Sequence, residues 1–446
     1  MREYMKSLAG LMAVVLVFSA GLLGQVPPSS SWEFLGPEGG YLTTMAQHCS
    51  TGDLYAVSYG FPARIFRSTN NGDQWQTISQ VNDNIDHIAL DALSPQNIVA
   101  VGSYLGKGTN LRIYKSTDAG QTWSQRQFAG QANTSYYPQH LETDPVNSRK
   151  LTLAGYSYNS QGGTTTISFF ECRTTDGGET WTVATYPNMT PGLFYVQCSA
   201  TDPADSRIRF AGGYVNVSGL SSGKLFRTLD DGVNWTDITG TVLQGFVYDL
   251  HVDRTNSNKI FAATGAGVYV STDKGSTWLA TPIYAYGNMI CCDPRSSSVL
   301  FVYGRGTTVY RSSDGGTSWE SLKGTLSGGA CTALVPSSLV SGTIYASTQS
   351  GFFRSVNAGQ AWTVANKGLM GSAQVPVLKC VPSAPTSMYM SFMYSGFYKT
   401  TNTLAKPTSA GIDWQKMPEY SYCEGIMHME VHPTNRDIIY IQEGAG

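Results

Sequence analysis

Charged residues are scarce in this chain of 446 residues, where only 13% are Asp, Glu, Lys or Arg. That share is about half of what soluble globular proteins contain. Long disorder is nevertheless excluded, because 41% of the residues are apolar and 12% are aromatic, whereas disordered chains have few aromatics and much charge. The formal net charge is −2 and basic residues form no run, which argues against nucleic acid as a partner.

Motifs for metal or cofactor binding are also lacking. The eight Cys residues form no CxxC pair and no Cys/His cluster, so a structural zinc site is not predicted. Most lie in apolar, strand-like runs, where Cys is expected as a small core residue, although an exported chain could oxidise them. No Ser-His-Asp order stands out among the six His residues. We therefore predict no metal, no cofactor and no recognisable catalytic residue.

Residues 1–24 predict an export signal. Two basic residues precede an apolar run over 8–23, which ends in small residues. This order is typical of a secretory signal peptide, with cleavage after Ala20 or Gly24. An uncleaved anchor is the alternative, because the run approaches the length of a membrane span. We expect a secreted, periplasmic or cell-surface protein, with a short linker at 25–31 and no stable membrane span after cleavage.

Trp residues are nearly evenly spaced, and eight of them end a recurring segment such as "YKSTDAGQTW" (114–123) or "YRSSDGGTSW" (310–319). In this segment Ser or Thr is followed by Asp or Asn, then Gly, then Trp. The Asp or Asn positions are Asn70, Asp118, Asp176, Asp230, Asp273, Asp314, Asn357 and Asn402. The Trp positions are Trp75, Trp123, Trp181, Trp235, Trp278, Trp319, Trp362 and Trp414. Repeats of this length are typical of solenoids and propellers.

Each position of the segment has a structural explanation. Ser, Thr, Asp and Asn side chains can bond nearby backbone N–H groups in a tight turn, and Gly permits positive φ. The Trp supplies a large apolar surface at the start of the next strand. A basic residue precedes most of the turns and is expected to be solvated or stacked on Trp. We therefore predict that the repeated residues are structural.

The segment between the turns predicts four short strands per repeat. In residues 247–281 we expect strands at 247–252, 259–264, 267–271 and 277–281, separated by turn-forming sequences. No stretch beyond the N-terminal run shows sustained helical periodicity. Many short strands with evenly placed turns indicate an all-β repeat fold.

The pattern Ser/Thr-x-Asp-x-Gly-x-Thr-Trp resembles the Asp-box, or BNR repeat, over essentially all of residues 31–446. Proteins with this repeat include sialidases, two-propeller xyloglucanases, the sortilin receptors and a photosystem II assembly factor. The resemblance implies a β-propeller of four-stranded blades with Asp-box hairpins, here with eight recognisable repeats and a partial ninth. The eighth copy, at 398–414, contains an insertion.

The two ends of the repeat region look like parts of one blade. "WEFLG" (32–36) resembles the strand after an Asp-box, whereas 427–446 matches only the first two strands of a repeat. We expect the propeller domain to span 32–446, with a blade divided between the chain ends. A propeller truncated at its C-terminus, or two propellers, are the alternatives.

The repeats differ in Tyr-rich loops, which a propeller would place on the face opposite the Asp-box turns. Exposed Tyr on loops suits recognition of proteins, peptides or glycans, because the rings stack and the hydroxyls bond. Packing between blades is the alternative for some of them. The candidate ligand-binding residues are Tyr136, Tyr137, Tyr156, Tyr158, Tyr186, Phe194, Tyr195, Tyr284, Tyr286, Tyr420 and Tyr422.

The sequence lacks the catalytic residues that are expected of a glycosidase. Glycosidases need two carboxylates flanking the bond. Where the xyloglucanase family carries a catalytic Asp after the second strand, this chain has "LYAVSYGFPARIF" (54–66), and the sialidase "FRIP" motif is absent. Our leading prediction is a secreted, non-catalytic propeller that binds a protein, peptide or glycan through its Tyr-rich face. The alternative is a glycoside hydrolase of the xyloglucanase or sialidase type, with catalytic residues unrecognised or in a missing region.

Overall fold

The computed structural model describes residues 39–443 with internal gaps. The gaps are 104–110, 127, 129, 132, 145–146, 162–163, 187–188, 190–192, 284–286, 305–307, 323–325, 327–329, 350, 370–376, 382–383, 393–395, 402–413, 418–425 and 432–438. The predicted signal peptide (1–24), linker (25–31) and first strand (32–36) lie outside the described residues. Within the described residues, every regular element is a β-strand. No helix there is long and apolar enough to cross a membrane.

Seven four-stranded antiparallel sheets, here blades 1 to 7, are each built from four consecutive strands. Blades 1 and 2 contain β1 Leu42–Gln47, β2 Leu54–Ser58, β3 Ala63–Ser68, β4 Gln76–Val81, β5 Ile85–Leu90, β6 Ile98–Ser103, β7 Leu111–Ser116 and β8 Ser124–Arg126. Blades 3 and 4 contain β9 Thr134–Thr143, β10 Leu151–Gln161, β11 Thr164–Thr174, β12 Thr182–Tyr186, β13 Leu193–Thr201, β14 Arg209–Val217, β15 Leu220–Thr228 and β16 Thr236–Asp237.

The remaining blades and two further sheets complete the described chain. Blades 5, 6 and 7 contain β17 Val247–Val252, β18 Ile260–Thr264, β19 Gly267–Ser271, β20 Leu279–Ala280, β21 Gly287–Asp293, β22 Ser296–Gly304, β23 Val309–Ser312, β24 Glu320–Ser321, β25 Cys331–Pro336, β26 Ile344–Thr348, β27 Gly351–Ser355 and β28 Thr363–Val364. The further sheets contain β29 Val377–Val381, β30 Ala384–Phe392, β31 Gly396–Thr400, β32 Gln415–Lys416, β33 Ile426–Val431 and β34 Ile439–Glu443. The four strands that the sequence predicts within residues 247–281 agree closely with β17 to β20 of blade 5.

The seven blades form a closed ring. Neighbouring blades pack in chain order, blade 7 packs against blade 1, and an apolar cluster lies at each of these interfaces. The Thr43 hydroxyl of blade 1 donates to the Ile85 carbonyl of blade 2 at 2.7 Å. The Thr332 hydroxyl of blade 7 makes the same bond to the Leu42 carbonyl of blade 1 at 2.7 Å. The described fold is therefore a seven-bladed β-propeller.

The seven-bladed ring closes without the blade that we expect to be divided between the chain ends, of which the strand at 32–36 lies outside the described residues. Blade 7 supplies all four of its strands from 331–364 and contacts blade 1 directly, so ring closure needs no strand from 427–446. Instead β33 and β34 form a separate two-stranded sheet, whose Met429 packs against Tyr389 of the eighth sheet. The eighth repeat likewise lies in a sheet beyond the ring.

The turn between the third and fourth strands has the same hydrogen bonds in all seven blades. In blade 2, the Ser116 hydroxyl donates to Asp118 at 2.7 Å and accepts the Gly120 N–H at 2.8 Å. Asp118 also accepts the Thr122 N–H at 2.9 Å. Gly120 has a φ of 87°, a conformation that side chains disfavour. Part of the eighth turn, at 402–413, lies outside the described residues.

The basic residue before the turn has a different position from the one we expected. Instead of being solvated or stacked on Trp, it bonds the turn of the next blade in four of the seven interfaces, at 2.6–3.0 Å. The pairs are Lys115 with Glu179, Arg173 with Asp231, Arg227 with the Lys274 carbonyl, and Arg354 with the Asn71 carbonyl. The last pair joins blade 7 to blade 1, so the interface that closes the ring contains the same kind of bond as the other three.

The second and third strands of blades 3 and 4 are unusually long. The sequence predicts loops at 156–168 and 213–224, but β10 and β11 pair without a break from Leu151 to Gln161. In blade 4 the corresponding hairpin pairs as far as Val217 and Leu220. The hairpins therefore extend the sheets on the side opposite the repeated turns.

Replacing Trp75 with Ala should destabilise the ring at its closure. The indole is 2% exposed, packs edge-on against Phe352 of blade 7 at a centroid distance of 4.9 Å, and donates to the Ala365 carbonyl at 3.2 Å. Loss of a buried Trp costs about 3–5 kcal/mol, which a lower urea midpoint would report. The exposed control Val364→Ala should cost less than about 0.5 kcal/mol. Equal midpoints for the two variants would contradict closure between blades 7 and 1.

Candidate functional site

Seven aromatic side chains form a continuous row across blades 3, 4 and 5. We call this set the aromatic row; in order its members are Tyr158, Tyr137, Tyr156, Tyr195, Tyr214, Phe246 and Tyr248. Each ring contacts the next at a centroid distance between 4.5 and 6.3 Å. The row lies at the ends of the strands opposite the repeated turns.

Face-to-face stacking dominates the centre of the row. Tyr137 and Tyr156 stack at 5.0 Å with an interplanar angle of 12°. Tyr195 and Tyr214 stack at 4.9 Å and 11°, and Phe246 stacks on Tyr214 at 4.5 Å and 21°. Offset stacking of this kind stabilises aromatic pairs by about 0.5–1.5 kcal/mol beyond the area that they bury. The rings therefore support one another in fixed positions.

Strand register brings these rings together. Tyr137 on β9 lies directly opposite Tyr156 on β10, and Tyr195 on β13 lies opposite Tyr214 on β14. Side chains opposite each other on neighbouring antiparallel strands share one face of the sheet. Phe246 immediately precedes β17 and reaches Tyr214 from the next blade. Packing of blade on blade thus joins two cross-strand pairs into a longer row.

The aromatic row is partly open to solvent and carries no formal charge. Tyr137 and Tyr158 are each 37% exposed, and the other members are half-buried. Desolvation, together with the neighbouring phenols, raises the pKa of Tyr156, and desolvation likewise raises the pKa of Tyr195. Both hydroxyls therefore stay protonated near neutral pH and can donate or accept hydrogen bonds.

The structure places the sequence-predicted site residues in three groups. Tyr137, Tyr156, Tyr158 and Tyr195 lie together in the aromatic row. Tyr136, Phe194 and Tyr186 do not belong to it, and Tyr284, Tyr286, Tyr420 and Tyr422 lie outside the described residues.

Tyr136 and Phe194 are core residues rather than binding residues. They are 3% and 2% exposed and belong to the apolar clusters between blades 2 and 3 and between blades 3 and 4. Tyr186 stacks on Phe169 at 5.1 Å and donates its hydroxyl to Glu171 at 3.0 Å. Tyr136 and Phe194 therefore follow the alternative of packing between blades, because alternation along a strand sends them to the face opposite their neighbours Tyr137 and Tyr195.

Tyr214, Phe246 and Tyr248 belong to the row but are not among the candidates that the sequence indicates. Tyr214 lies within a strand where the sequence predicts a loop, and its partner Tyr195 is 19 residues earlier. Alignment of the first and second strands of each repeat would have indicated the Tyr195 and Tyr214 pair. Contact across the blade interface, which adds Phe246, has no signal in the local sequence.

Two buried carboxylates outside the aromatic row have structural partners. Glu171 is 1% exposed and pairs with Arg209 at 2.9 Å, while its burial raises its pKa. Asp249 of blade 5 accepts the backbone N–H groups of Leu250 and of Ile290 in blade 6, and burial raises its pKa to about 7. Both acids therefore join elements of the ring.

A pocket of about 220 Å³ lies between blades 3 and 4, near their repeated turns. Its charged lining residues are Glu142, Asp144, Lys150, Arg173, Arg209 and Asp231. Glu142 accepts both the N–H and the hydroxyl of Thr201, at 3.0 and 2.9 Å. Desolvation raises the pKa of Glu142 to about 7, against the opposing effect of these two bonds. A carboxyl with such a pKa can serve as a general acid, although Arg173 and Arg209 already pair with Asp231.

The described part of the chain contains neither a metal site nor the catalytic Asp that the xyloglucanase resemblance implies. No group of three or more His, Cys, Asp or Glu side chains there could hold a metal ion. The end of β2, where the xyloglucanase resemblance implies a catalytic Asp, instead carries Tyr59, stacked on Tyr41 at 4.7 Å. The structure describes the side chains of six of the eight Cys residues, and all six are free thiols: Cys49, Cys172, Cys198, Cys291, Cys292 and Cys331.

Comparison with known proteins finds matches to parts of the chain. The Sortilin-Vps10 family model, described as sortilin, neurotensin receptor 3, matches residues 63–197. A xyloglucanase of Paenibacillus sp is 27% identical over 296 residues, which are 56% of this chain and 27% of the relative. The xyloglucanase Xgh74A of Acetivibrio thermocellus is 30% identical over 197 residues, which are 43% of this chain and 20% of the relative. The chain thus spans only a fifth to about a quarter of the length of these relatives.

Among solved structures, YCF48 from Cyanidioschyzon merolae shares the fold. It superposes with a TM-score of 0.52 at 12% sequence identity, covering 74% of this chain and 99% of YCF48.

The substitution Glu142→Gln should reduce the pH dependence of stability. Folding raises the pKa of Glu142 from about 4.3 to about 7, so its stabilisation is complete below about pH 4 and is lost as the pH rises through 7. The free energy of unfolding of the natural protein should therefore fall between pH 5 and pH 8. Over that range the free energy of unfolding of the variant should fall by about 2–3 kcal/mol less than that of the natural protein, as measured by urea denaturation.

The neutral Gln can still accept both bonds from Thr201, so the variant should remain folded. The pKa of Asp249 is also raised, so part of the pH dependence of stability should remain in the natural protein and in the Glu142→Gln variant alike. The partly exposed control Glu320→Gln should behave like the natural protein. Identical pH profiles for the natural protein and Glu142→Gln would be inconsistent with a strongly desolvated carboxyl.

Proposed function

We propose that this seven-bladed β-propeller is a non-catalytic binding protein of the BNR type, which its partial similarity to the sortilin family model and to a xyloglucanase supports. Its ligand is an extended peptide or glycan, and the aromatic row is the surface that holds it. The observation that carries the proposal is the row itself: seven contacting rings across three blades, two of them more than a third exposed. Aromatic clusters on rigid scaffolds are common anchors in binding interfaces.

The scaffold supports this proposal in two ways. The row is fixed by strand register and by blade packing, so little conformational entropy is lost when a ligand binds. It also combines apolar ring surface with neutral hydroxyls, which suits a ligand that presents both apolar groups and hydrogen-bonding groups.

A glycoside hydrolase is the second candidate. The similarity to two xyloglucanases favours it, and Glu142 has a pKa suited to a general acid. Against it, glycosidases generally need a second carboxyl placed across the bond, and Asp231 in the same pocket is held by two Arg side chains. Turnover of xyloglucan or of a sialoside by the purified chain, lost in Glu142→Gln, would decide for the enzyme.

Substituting both Tyr137 and Tyr214 with Ala should weaken ligand binding by more than about tenfold. The two rings lie in blades 3 and 4, so their loss interrupts the row without touching the buried Tyr136. Binding is measured on an array of linear peptides and soluble glycans, comparing natural protein with variant.

The matched control is Tyr440→Ala, whose ring is 60% exposed and lies in the ninth sheet, beyond the ring. It should bind like the natural protein. Circular dichroism and the urea midpoint verify that the double variant is folded. If a folded double variant binds every array ligand as tightly as the natural protein does, the aromatic row is not the binding surface.

We also propose that residues 1–24 are an export signal, followed by a linker at 25–31 and a propeller region at 32–446. The sheets after the closed ring fit the alternative in which this region contains parts of two propellers. The support for export is the basic start and the apolar run that ends in small residues.

Export should leave a new N-terminus at Gly21 or Gln25. The expressed full chain is recovered from the periplasm or medium of a bacterial host and its first residues are determined by N-terminal sequencing. The substitution Val15→Arg places a charge in the apolar run and should block export. Recovery of a chain that still begins at Met1 in the membrane fraction would favour the uncleaved anchor.

A further inference from the structure

We infer that the pocket between blades 3 and 4 binds a small oxyanion, a carboxylate or a phosphate. The pocket lies near the repeated turns, whereas the aromatic row lies at the opposite ends of the strands, so this inference is independent of the proposed function. Three observations carry it: polar residues replace core residues at this interface, the guanidinium of Arg209 lacks acceptors, and Lys150 has no ion pair.

Arg209 occupies a position that belongs to the apolar core in the other blades. It lies opposite Thr228, which begins the repeated turn of blade 4, and it is only 4% exposed. In the other six blades the residue opposite the corresponding Ser or Thr is a buried aliphatic one: Leu54, Ile98, Leu151, Ile260, Leu300 and Ile344. A buried charge in one blade alone is a costly departure from the repeat, of the kind that occurs at functional sites.

Two further core positions at the same interface are polar. Where blade 3 has Thr152, the other blades have a larger apolar side chain that packs toward the next blade: Tyr55, Val99, Phe210, Phe261, Phe301 and Tyr345. Where blade 3 has Glu171, the others have Ile65, Ile113, Leu225, Val268, Val309 and Phe352. Because Thr152 and Arg209 both line the pocket, it lies where apolar side chains fill the other interfaces.

The guanidinium of Arg209 offers hydrogen-bond donors to this pocket. It forms ion pairs with Glu171 at 2.9 Å and with Asp231 at 3.4 Å. Even so, none of its three nitrogens donates a well-aligned hydrogen bond within the described part of the chain. Arg carries five N–H donors, and buried donors without acceptors are unfavourable. An oxyanion in the pocket would supply acceptors of the kind that Arg binds best, carboxylate or phosphate oxygens.

Lys150 supplies a second cation. Its side chain lines the pocket and forms no ion pair with any other residue that the structure describes. Desolvation raises the pKa of Glu142 to about 7, so at pH 6 this carboxyl is mostly protonated and can donate to an oxyanion. The charges around the pocket then balance, with Lys150, Arg173 and Arg209 facing Asp144, Glu171 and Asp231. An incoming anion is therefore not repelled by a net negative charge.

The volume of the pocket limits the size of the ligand. At about 220 Å³ it is smaller than the roughly 300–1,000 Å³ of sites for drug-sized molecules. The hydroxyls of Thr175 and Ser206 also line it and can donate to further oxygen atoms. A small oxyanion fits this space, whereas a polymer chain does not.

The experiment is calorimetric titration of the full chain with inorganic phosphate and, separately, with acetate, at pH 6 and constant ionic strength. We expect at least one of the two anions to bind at one site. Lys150→Met should weaken that binding at least tenfold, because a charged donor is lost. Thr152→Phe, which fills the pocket with the side chain that other blades carry, should weaken it further. Lys224→Met, which removes a cation of blade 4 outside the pocket, should leave it unchanged.

A double variant separates binding from folding. Arg209→Ile with Glu171→Leu restores the apolar residues of the other blades, and such replacement of a buried ion pair is often neutral or stabilising. The double variant should therefore unfold at a urea midpoint no lower than that of the natural protein, yet bind neither anion.

Two results would overturn the inference. One is the absence of saturable binding of either anion to the natural protein. The other is binding that is equally tight in Thr152→Phe and in the folded double variant, which would place the anion elsewhere. Pocket-dependent binding of phosphate alone or of acetate alone supports the site and identifies which oxyanion it selects.

Discussion

Packing of each sheet against its two neighbours is the interaction on which the rest of this structure depends. A four-stranded sheet has two faces to cover, and a ring covers both without adding helices. Every interface of the seven-bladed ring contains its own apolar cluster, and the cluster between blades 7 and 1 is built like the others. Closure therefore follows from repetition of one contact rather than from a special strand exchanged between the chain ends.

Polar groups repeat around the ring together with the apolar clusters. The hydroxyls of Thr43 and Thr332 bond the first strand of the next blade, and the basic residue before the turn bonds the next turn in several blades. These residues bond backbone carbonyls or carboxylates at the interfaces, so their polar groups already have partners within the ring. A binding site is therefore expected where the blades differ from one another. Blades 3 and 4 differ most from the rest, because they have long hairpins and carry most of the aromatic row.

Much of the fold could be predicted from the sequence, whereas the candidate site could be predicted only in part. The repeated Asp and Trp positions indicated short strands, tight turns and a propeller, since each of those signals acts within about ten residues. Tyr136 and Tyr137 show the limit: they are adjacent and chemically identical, yet one is buried between blades and the other lies in the row. Composition alone could not separate them, because strand register decides which face each side chain takes.

The sequence by itself determined the repeating unit, because the spacing of turn-forming residues and Trp sets the local backbone and the apolar faces of each blade. Only the tertiary structure decided how many units close the ring, since closure depends on the summed rotation between blades and on contacts such as Trp75 with Phe352, nearly 280 residues apart. The same holds for the aromatic row. Its central stack of Tyr195, Tyr214 and Phe246 comes from two blades, and such a surface exists only once neighbouring sheets have packed.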